Sequence, residues 1–123
     1  EIKNFDDKIE LIGTELIFKK MSTDEFQIIN DSHVACLDFD SLKRPLKIRS
    51  WKNGDNFIPL GMTRKKKLSD FMIDQKIPLN LKKRVHLLES AGQIAWVIGH
   101  RIDDRFKVTQ KTQNILVVES KKC

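Results

Sequence analysis

Short apolar runs of strand length, separated by turn residues, are the feature that most restricts the fold of this sequence. The runs cover residues 9–18, 25–29, 34–39, 85–89, 93–102 and 115–118. Runs of this length bounded by polar or turn residues are typical of β-strands. Because they outnumber the helical segments, we predict an α+β fold, a sheet-rich module in which one or two short helices pack on antiparallel sheets.

The middle of the chain is predicted to contain two further strands joined by a tight turn. Leu46, Ile48 and Trp51 alternate with charged or polar residues, as in a strand that follows Pro45. Asn53-Gly54-Asp55 is a strong turn signal, because glycine adopts a positive φ without strain. The second strand is expected to end near Gly61.

One amphipathic helix is predicted after this pair of strands. Leu68, Phe71 and Met72 fall at i, i+3 and i+4, the spacing of one helix face. Pro78 must end the helix, because a proline disfavours the helical conformation in the residue before it.

The runs 85–89 and 93–102 are predicted to form a hairpin around Ser90-Ala91-Gly92. In an extended strand neighbouring side chains point to opposite faces. We therefore expect Trp96 and Ile98 to face one side of the hairpin and Val97 the other.

Positive charge is concentrated in residues 47–84, which contain eleven Lys and Arg against three Asp, a net charge of +8. Residues 1–46 have a net charge of −4 and residues 85–123 a net charge of +2. Cations clustered on one surface are what binding to phosphates requires, so this asymmetry indicates a nucleic-acid partner. A solvated lysine-rich surface is the alternative that composition alone leaves open.

No catalytic or metal-binding motif is present in the sequence. Phosphate-loop, dinucleotide, nucleophile-elbow and zinc-protease patterns are all missing. His33, His86 and His100 are isolated, although His86 and His100 could approach each other across the hairpin. Cys36 and Cys123 are interpreted as a buried thiol and a terminal thiol. We therefore predict no catalytic residue, no metal and no cofactor in this chain.

Two acids and two tryptophans have simple structural interpretations. Asp103 and Asp104 are adjacent on a predicted strand and so face opposite ways, and we expect one of them to cap a turn or pair with Arg101 or Arg105. Trp51 and Trp96 are expected to pack in the core. Recognition by clustered cations with few exposed aromatic rings favours a structured RNA duplex over a single strand.

At 123 residues with 40% hydrophobic residues, the chain can form its own core. Its longest apolar stretch, residues 94–98, is far shorter than the roughly 20 residues of a membrane-spanning helix. We predict a cytoplasmic location and no membrane partner. The sequence begins with Glu1 and not with Met, so it is expected to be a piece of a longer protein.

Five elements in a fixed order carry a family resemblance over about residues 34–118. They are the strand ending at Gly54-Asp55, then Pro59-Leu60-Gly61, then Lys66-Lys67-Leu68 before a helix, then Lys76-Ile77-Pro78 with Arg84, and last Trp96-Val97 through Gly99 with Arg101 and Arg105. In this order they resemble the C-terminal domain of bacterial tRNA(Ile)-lysidine synthetase.

The resemblance implies a fold and a role. The family's domain is similar in fold to a domain of the phenylalanyl-tRNA synthetase β subunit, and it engages the acceptor stem of the tRNA. The family's enzyme uses ATP to adenylate the wobble cytidine of the minor isoleucine tRNA with a CAU anticodon, and lysine then displaces AMP to give lysidine. That ligase chemistry belongs to a separate N-terminal domain, so ATP and lysine are substrates of a domain that this chain lacks.

We therefore predict that residues 34–123 form a non-catalytic tRNA-binding domain for tRNA modification, and that residues 1–33 precede it as a strand and loop segment. The predicted RNA contacts are Arg49, Arg64, Lys65, Lys66, Lys67, Lys82, Lys83, Arg84, Arg101 and Arg105. A structural ion pair is the alternative for Arg49 and Arg84, and neutralisation by Asp103 or Asp104 for Arg101 and Arg105. A dimerisation module with an incidental basic surface is the alternative for the domain as a whole.

Overall fold

The computed structural model describes residues 8–11, 14–25 and 31–122. Its strands are β1 (Lys8–Leu11), β2 (Thr14–Ser22), β3 (Val34–Asp38), β4 (Leu46–Ser50), β5 (Asn56–Phe57), β6 (Lys66–Lys67), β7 (His86–Ser90), β8 (Gln93–Val97), β9 (Arg101–Ile102) and β10 (Asn114–Lys122). Its α-helices are α1 (Leu68–Asp74) and α2 (Leu79–Lys82). Short 3-10 turns occupy Thr23–Glu25, Phe39–Ser41 and Asp104–Phe106.

The strands form three antiparallel sheets. The first sheet has the order β1-β2-β10-β3, the second has the order β4-β7-β8-β9, and β5 pairs with β6 alone. Two short helices follow this small third sheet. The predicted sheet-rich α+β fold is confirmed.

The second sheet has a hydrophobic core on each face. The first core joins it to the first sheet and contains Leu16, Phe18, Ala35, Leu37, Leu46, Leu88, Ala95, Trp96, Phe106, Leu116 and Val118. The second core joins it to α1 and β5 and contains Phe57, Leu68, Phe71, Met72, Val85, Leu87, Ile94 and Val97. The three apolar positions predicted for the helix, Leu68, Phe71 and Met72, all lie in the second core.

The predicted alternation along the hairpin is confirmed. Trp96 lies in the first core and Ile98 packs against it, whereas Val97 lies in the second core. Between Leu88 and Glu89 the register shifts, and Ala95 is the extra residue of this bulge. A bulge of this kind lets one strand serve both cores while the sheet twists.

The turn of the hairpin has a conformation that favours particular residues. Ala91 and Gly92 have φ of 46° and 87°, as in a type I′ turn, where both central residues need a positive φ. Alanine pays a steric cost in this region that asparagine largely avoids.

Replacing Ala91 with asparagine is therefore expected to stabilise the fold. We expect the Ala91→Asn variant to gain about 0.5–1 kcal/mol in free energy of unfolding. Urea denaturation followed by circular dichroism measures this change. Ala91→Val is the control and should lose stability, because a β-branched residue is strained at this φ. An Ala91→Asn variant less stable than the parent would contradict the assigned turn.

Some predicted elements are shorter or divided in the structure. The run 93–102 is interrupted after Val97 by a turn at Gly99, which has φ of 81°, so β9 folds back against β8. Helix α1 ends at Asp74, before Pro78, because Lys76 adopts a positive φ of 56°. Pro78 then stands at the start of α2, which the sequence did not separate from the loop.

The first third of the chain is only partly described. The predicted run 9–18 corresponds to β1 and β2, and β2 pairs along its whole length with β10. The run 25–29 lies outside the described residues except for Glu25, and Cys123 also lies outside them. Cys36 is half-buried in β3, less buried than predicted. The domain boundary at residue 33 stays a prediction.

Candidate nucleic-acid interface

The basic run, defined here as Arg64, Lys65, Lys66 and Lys67, connects the end of the β5 segment to α1. Lys66 and Lys67 form β6 and pair with β5. Lys66 is half-buried and forms an ion pair with Asp74 of α1. The other three cations are exposed, and none of them has an ion-pair partner within the described residues. Three of the four charges are therefore available to an external anion.

The loop that leads into the basic run is anchored by a buried carboxylate, that of Asp103. This side chain is 0% exposed and accepts a hydrogen bond from the backbone N–H of Ile58 at 2.9 Å. It also accepts hydrogen bonds from the backbone N–H of Arg105 at 2.7 Å and from the Arg105 guanidinium at 3.0 and 2.9 Å. Because a buried carboxylate needs such partners, it holds the loop and the second sheet together.

Backbone hydrogen bonds hold the same loop at three further points. Leu60 N–H donates to the carbonyl of Ile102 at 3.1 Å, and Asp104 N–H donates to the carbonyl of Ile58 at 2.7 Å. Gly61 N–H donates to the Asp104 carboxylate at 3.0 Å, and this hydrogen bond is the main reason why the pKa of Asp104 is lowered. The basic run thus starts from a fixed backbone and not from a loose loop.

A second ion-pair network lies at the start of α1. The Arg49 guanidinium donates two hydrogen bonds of 2.9 Å to Asp55 and also pairs with Glu89. Burial alone would raise the pKa of Asp55, but hydrogen bonds from Arg49 and from the Lys52 N–H outweigh burial and lower it. The Asp55 carbonyl accepts the N–H of Leu68, the first residue of α1, at 2.9 Å.

Arg49 therefore has the structural ion pair that the sequence left open as its alternative role. Both of its carboxylate partners belong to this domain, and they raise the pKa of the guanidinium. Its predicted contact with RNA stays a prediction, and the network is better explained as a brace between β4, β7 and the start of α1.

Arg101 and Arg105 differ in the structure. Arg105 pairs with Asp103, as the sequence anticipated, whereas Asp104 pairs with Lys107. Arg101 is exposed and lies 5.7 Å from the centre of the Phe71 ring, on the face of the second sheet that carries α1. No carboxylate among the described residues neutralises it.

A second basic cluster, Lys82, Lys83 and Arg84, follows from α2. The indole N–H of Trp51 donates to the carbonyl of Lys82 at 2.6 Å, and the His86 ring contacts the carbonyl of Arg84 at 2.9 Å. These bonds fix the backbone, while Lys83 and Arg84 stay exposed. Within the described residues none of the three cations has an ion-pair partner, which argues against a structural ion pair for Arg84.

Exposed apolar side chains occur in the same stretch of the chain as the two basic clusters. Within the described residues the large exposed hydrophobic side chains are Leu60, Met62, Ile73, Leu79 and Leu81. All of them fall between residues 60 and 84, where the two basic clusters also lie. This feature was not predicted from the sequence, where its signal is the group of apolar residues around Pro78 that lie outside the i, i+3, i+4 stripe of α1.

Both tryptophans pack against the hydrophobic cores. Trp96 is buried and Trp51 is half-buried against the second core, as predicted. No group of three His, Cys, Asp or Glu that could hold a metal ion occurs in the described part of the chain. In that part no helix combines the length and apolar character needed to cross a membrane either.

The three histidines line one cleft of about 790 Å³, together with Asp31, Glu119 and other residues at the ends of the two large sheets. The Nδ1 atom of His33 lies 3.3 Å from the hydroxyl of Ser120, and His33 lies beside Gly99. Burial, and then repulsion from His33, lowers the pKa of His100 below its usual 6.5.

This shift makes stability depend on pH near neutrality. The pKa of His100 is about 6.5 in the unfolded chain and lower in the folded chain. At pH values between the two, the unfolded chain binds a proton at His100 and the folded chain does not. The contribution of neutral His100 to the free energy of unfolding is therefore complete above about pH 6.5. It is lost as the pH falls through the pKa of His100 in the folded chain. We expect His100→Gln to show a smaller fall in melting temperature between about pH 7.5 and about pH 5 than the parent.

The other described groups with lowered pKa, Asp40, Asp55 and Asp104, start from 3.8 and so titrate below that window. Asp40→Asn is therefore the control and should keep the pH dependence of the parent between about pH 7.5 and about pH 5. If the melting temperatures of His100→Gln and the parent fall in parallel with pH, then His100 does not cause the loss of stability at low pH.

The family of TilS substrate C-terminal domains matches residues 46–119 of this chain. A tRNA(Ile)-lysidine synthase of Parabacteroides distasonis is 45% identical over 105 residues, which cover 85% of this chain and 24% of that protein. The same enzyme of Bacteroides thetaiotaomicron is 40% identical over 95 residues, covering 77% of this chain and 22% of that protein. The chain thus spans about a quarter of the length of these curated relatives.

Two solved structures share the fold. The crystal structure of a TilS C-terminal domain superposes with a TM-score of 0.83 at 22% identity, over 95% of this chain and 91% of that one. An N-terminal fragment of the phenylalanyl-tRNA synthetase β subunit from Pyrococcus horikoshii superposes with a TM-score of 0.58 at 18% identity, over 71% of this chain and 27% of that one. Both resemblances inferred from the sequence are confirmed.

Proposed function

Because this chain belongs to the family of TilS C-terminal domains, we propose that it is the tRNA-binding domain of a tRNA(Ile)-lysidine synthase. Its RNA target is the acceptor stem of the minor isoleucine tRNA with the CAU anticodon. The parent enzyme uses ATP and lysine in a catalytic domain outside this chain, and this domain contributes binding and no chemistry. A cytoplasmic location follows from the same proposal.

The observation that carries the proposal is a set of exposed cations without ion-pair partners among the described residues, mounted on a fixed backbone. Arg64, Lys65 and Lys67 extend from a loop held by Asp103, and Lys83 and Arg84 from a segment held by Trp51. Cations presented in this way can contact phosphates without first breaking ion pairs within the domain.

The composition of this surface favours a duplex over a single strand. Both tryptophans are at least half-buried, so neither presents a fully exposed ring on which a single-stranded base could stack. An A-form stem is recognised mainly through its phosphates and 2′-hydroxyl groups, which match exposed Lys and Arg. The acceptor stem is such a duplex.

The proposed contact set is smaller than the one expected from sequence. It contains Arg64, Lys65, Lys67, Lys82, Lys83, Arg84 and Arg101. Arg49, Lys66 and Arg105 are left out, because each already pairs with a carboxylate of the domain. These three residues are proposed to support the interface from within.

Fluorescence anisotropy of the chain with two labelled tRNAs, over a range of salt concentrations, tests the proposal. We expect binding that weakens linearly in a log-log plot against salt, and tighter binding of the minor isoleucine tRNA than of elongator methionine tRNA. Absent binding, or binding without salt dependence, would refute the proposal. Equal affinity for the two tRNAs would show that the domain binds tRNA without preference, and would refute the proposed specificity for the minor isoleucine tRNA.

The dimerisation alternative predicts a different result. A homodimer would be visible by light scattering of the chain without RNA, and its basic surface would not bind tRNA in a salt-dependent way. The two experiments together separate the alternatives.

A further inference from the structure

Leu79 is the most exposed of the large hydrophobic side chains in the described residues. It is 80% exposed, and Ile73 and Leu81 nearby in the chain are 62% and 43% exposed. Single exposed leucines are common on protein surfaces, but a group of apolar side chains in one short segment marks a binding surface more often. Pro78, next to Leu79, is exposed as well.

The charges around Leu79 indicate the kind of partner. Residues 75–84 contain Lys76, Lys82, Lys83 and Arg84 and no acid. Leu79, Lys82 and Lys83 stand at i, i+3 and i+4, so they share one side of the α2 turn. Of the acids on α1, Asp74 is paired with Lys66. An apolar side chain framed by cations suits an anionic partner that also presents an apolar surface.

A nucleic acid offers both properties at the end of a stem. The wall of a duplex presents phosphates, sugars and base edges, and its flat apolar base faces are hidden by stacking. At the end of a stem one base face is exposed, with phosphates of both strands beside it. An aliphatic side chain that packs on such a face buries apolar surface, and this contact does not depend on the identity of the base.

We propose that the α2 tip, defined as Leu79 with Lys82 and Lys83, covers the exposed base face at the end of the RNA stem. The two lysines then contact the terminal phosphates, and the basic run contacts phosphates farther along the stem. This inference rests on the proposed function, because it assumes that a stem is bound. It adds that the domain contacts the end of the stem as well as the phosphates along the stem.

Two RNA probes of equal stem length test the inference. One is a hairpin with an open end, and the other is a dumbbell closed by a loop at both ends. We expect the parent chain to bind the open hairpin about tenfold more tightly than the dumbbell, since burying part of a leucine side chain is worth roughly that factor. Leu79→Ser should lose this preference and bind both RNAs as weakly as the parent binds the dumbbell, with an unchanged salt slope. Leu79→Phe should retain the preference.

Leu60→Ser is the matched control, because Leu60 is an exposed leucine outside the α2 tip. It should keep the parent's preference for the open hairpin. Equal binding of both RNAs by the parent, or equal loss on both RNAs in Leu79→Ser, would overturn the inference and leave the proposed function intact. Dissociation of a parent dimer by Leu79→Ser would also overturn it, since the tip would then cover a second copy of the chain. If the parent binds neither RNA, the proposed function fails and the inference with it.

Discussion

Replacing Asp103 with alanine is expected to lower the free energy of unfolding by about 3 kcal/mol, a large fraction of the stability of a small domain. The carboxylate accepts hydrogen bonds from the Ile58 N–H and from the backbone and guanidinium of Arg105. Without it the backbone N–H groups of Ile58 and Arg105 and the Arg105 guanidinium lose their partner. The loop that carries the basic run would then lose its main anchor.

Urea denaturation of the Asp103→Ala variant measures this loss. Asp103→Asn is the informative companion, because its single amide oxygen can still accept one backbone N–H, so we expect an intermediate loss. Asp104→Ala is the surface control, because its carboxylate has a half-exposed Lys107 and the Gly61 N–H as partners. We expect that variant to lose about 1 kcal/mol. A loss for Asp103→Ala no greater than that of Asp104→Ala would show that the buried carboxylate is not the anchor.

Removing the exposed cations of the basic run is expected to weaken the binding of tRNA. Changing Arg64, Lys65 and Lys67 together to glutamine should reduce the log-log salt slope of tRNA binding by about 2 to 3, since each lost phosphate contact contributes roughly 0.7 to 0.9. At salt concentrations of about 0.1 M the affinity should fall roughly 100-fold. Lys66 is left unchanged, because its ion pair with Asp74 positions β6 against α1.

Three cations outside this surface provide the matched control. Lys19, Lys43 and Lys111 are exposed and have no ion-pair partner within the described ranges. Changing them to glutamine removes the same net charge from strand β2 and from two loops. We expect their salt slope to stay within about 0.5 of the parent's. If both triple variants lose the same slope, binding follows net charge and not the surface proposed here.

Much of the fold could be predicted because its local signals agree with its tertiary contacts. The opposite orientations of Trp96 and Val97 follow from the two-residue period of a strand, and both faces of the second sheet are buried. Helix α1 was found because its three apolar positions all enter one core. The Ala91-Gly92 turn was found because few residues besides glycine accept its conformation.

What could not be predicted depends on residues distant in the chain. β5 and β6 have only two residues each, and their pairing depends on the anchor at Asp103, 45 residues from its partner Ile58. The single turn of α2 is held by a hydrogen bond from Trp51, 31 residues away. Such contacts leave no periodic pattern in a local window. The sequence therefore did not indicate β6 or α2, and it predicted a longer strand where the structure has only the two residues of β5.

The candidate interface was also predicted only in part. Charge clustering located the basic surface, because charge is a property of composition. It could not decide which cations are already paired: Arg49 is neutralised by Glu89, 40 residues away, and Lys66 by Asp74. Only the folded chain separates the cations that brace the domain from those that are available to a phosphate.

A competition experiment tests whether the domain binds the acceptor stem. The chain is bound to labelled minor isoleucine tRNA, and two unlabelled fragments of that tRNA are added separately, the acceptor-stem helix and the anticodon stem-loop. We expect the acceptor-stem helix to displace the labelled tRNA at a concentration close to that at which the whole unlabelled tRNA does, and the anticodon fragment not to displace it. Displacement by the anticodon stem-loop, with no effect of the acceptor stem, would contradict the proposed binding to the acceptor stem.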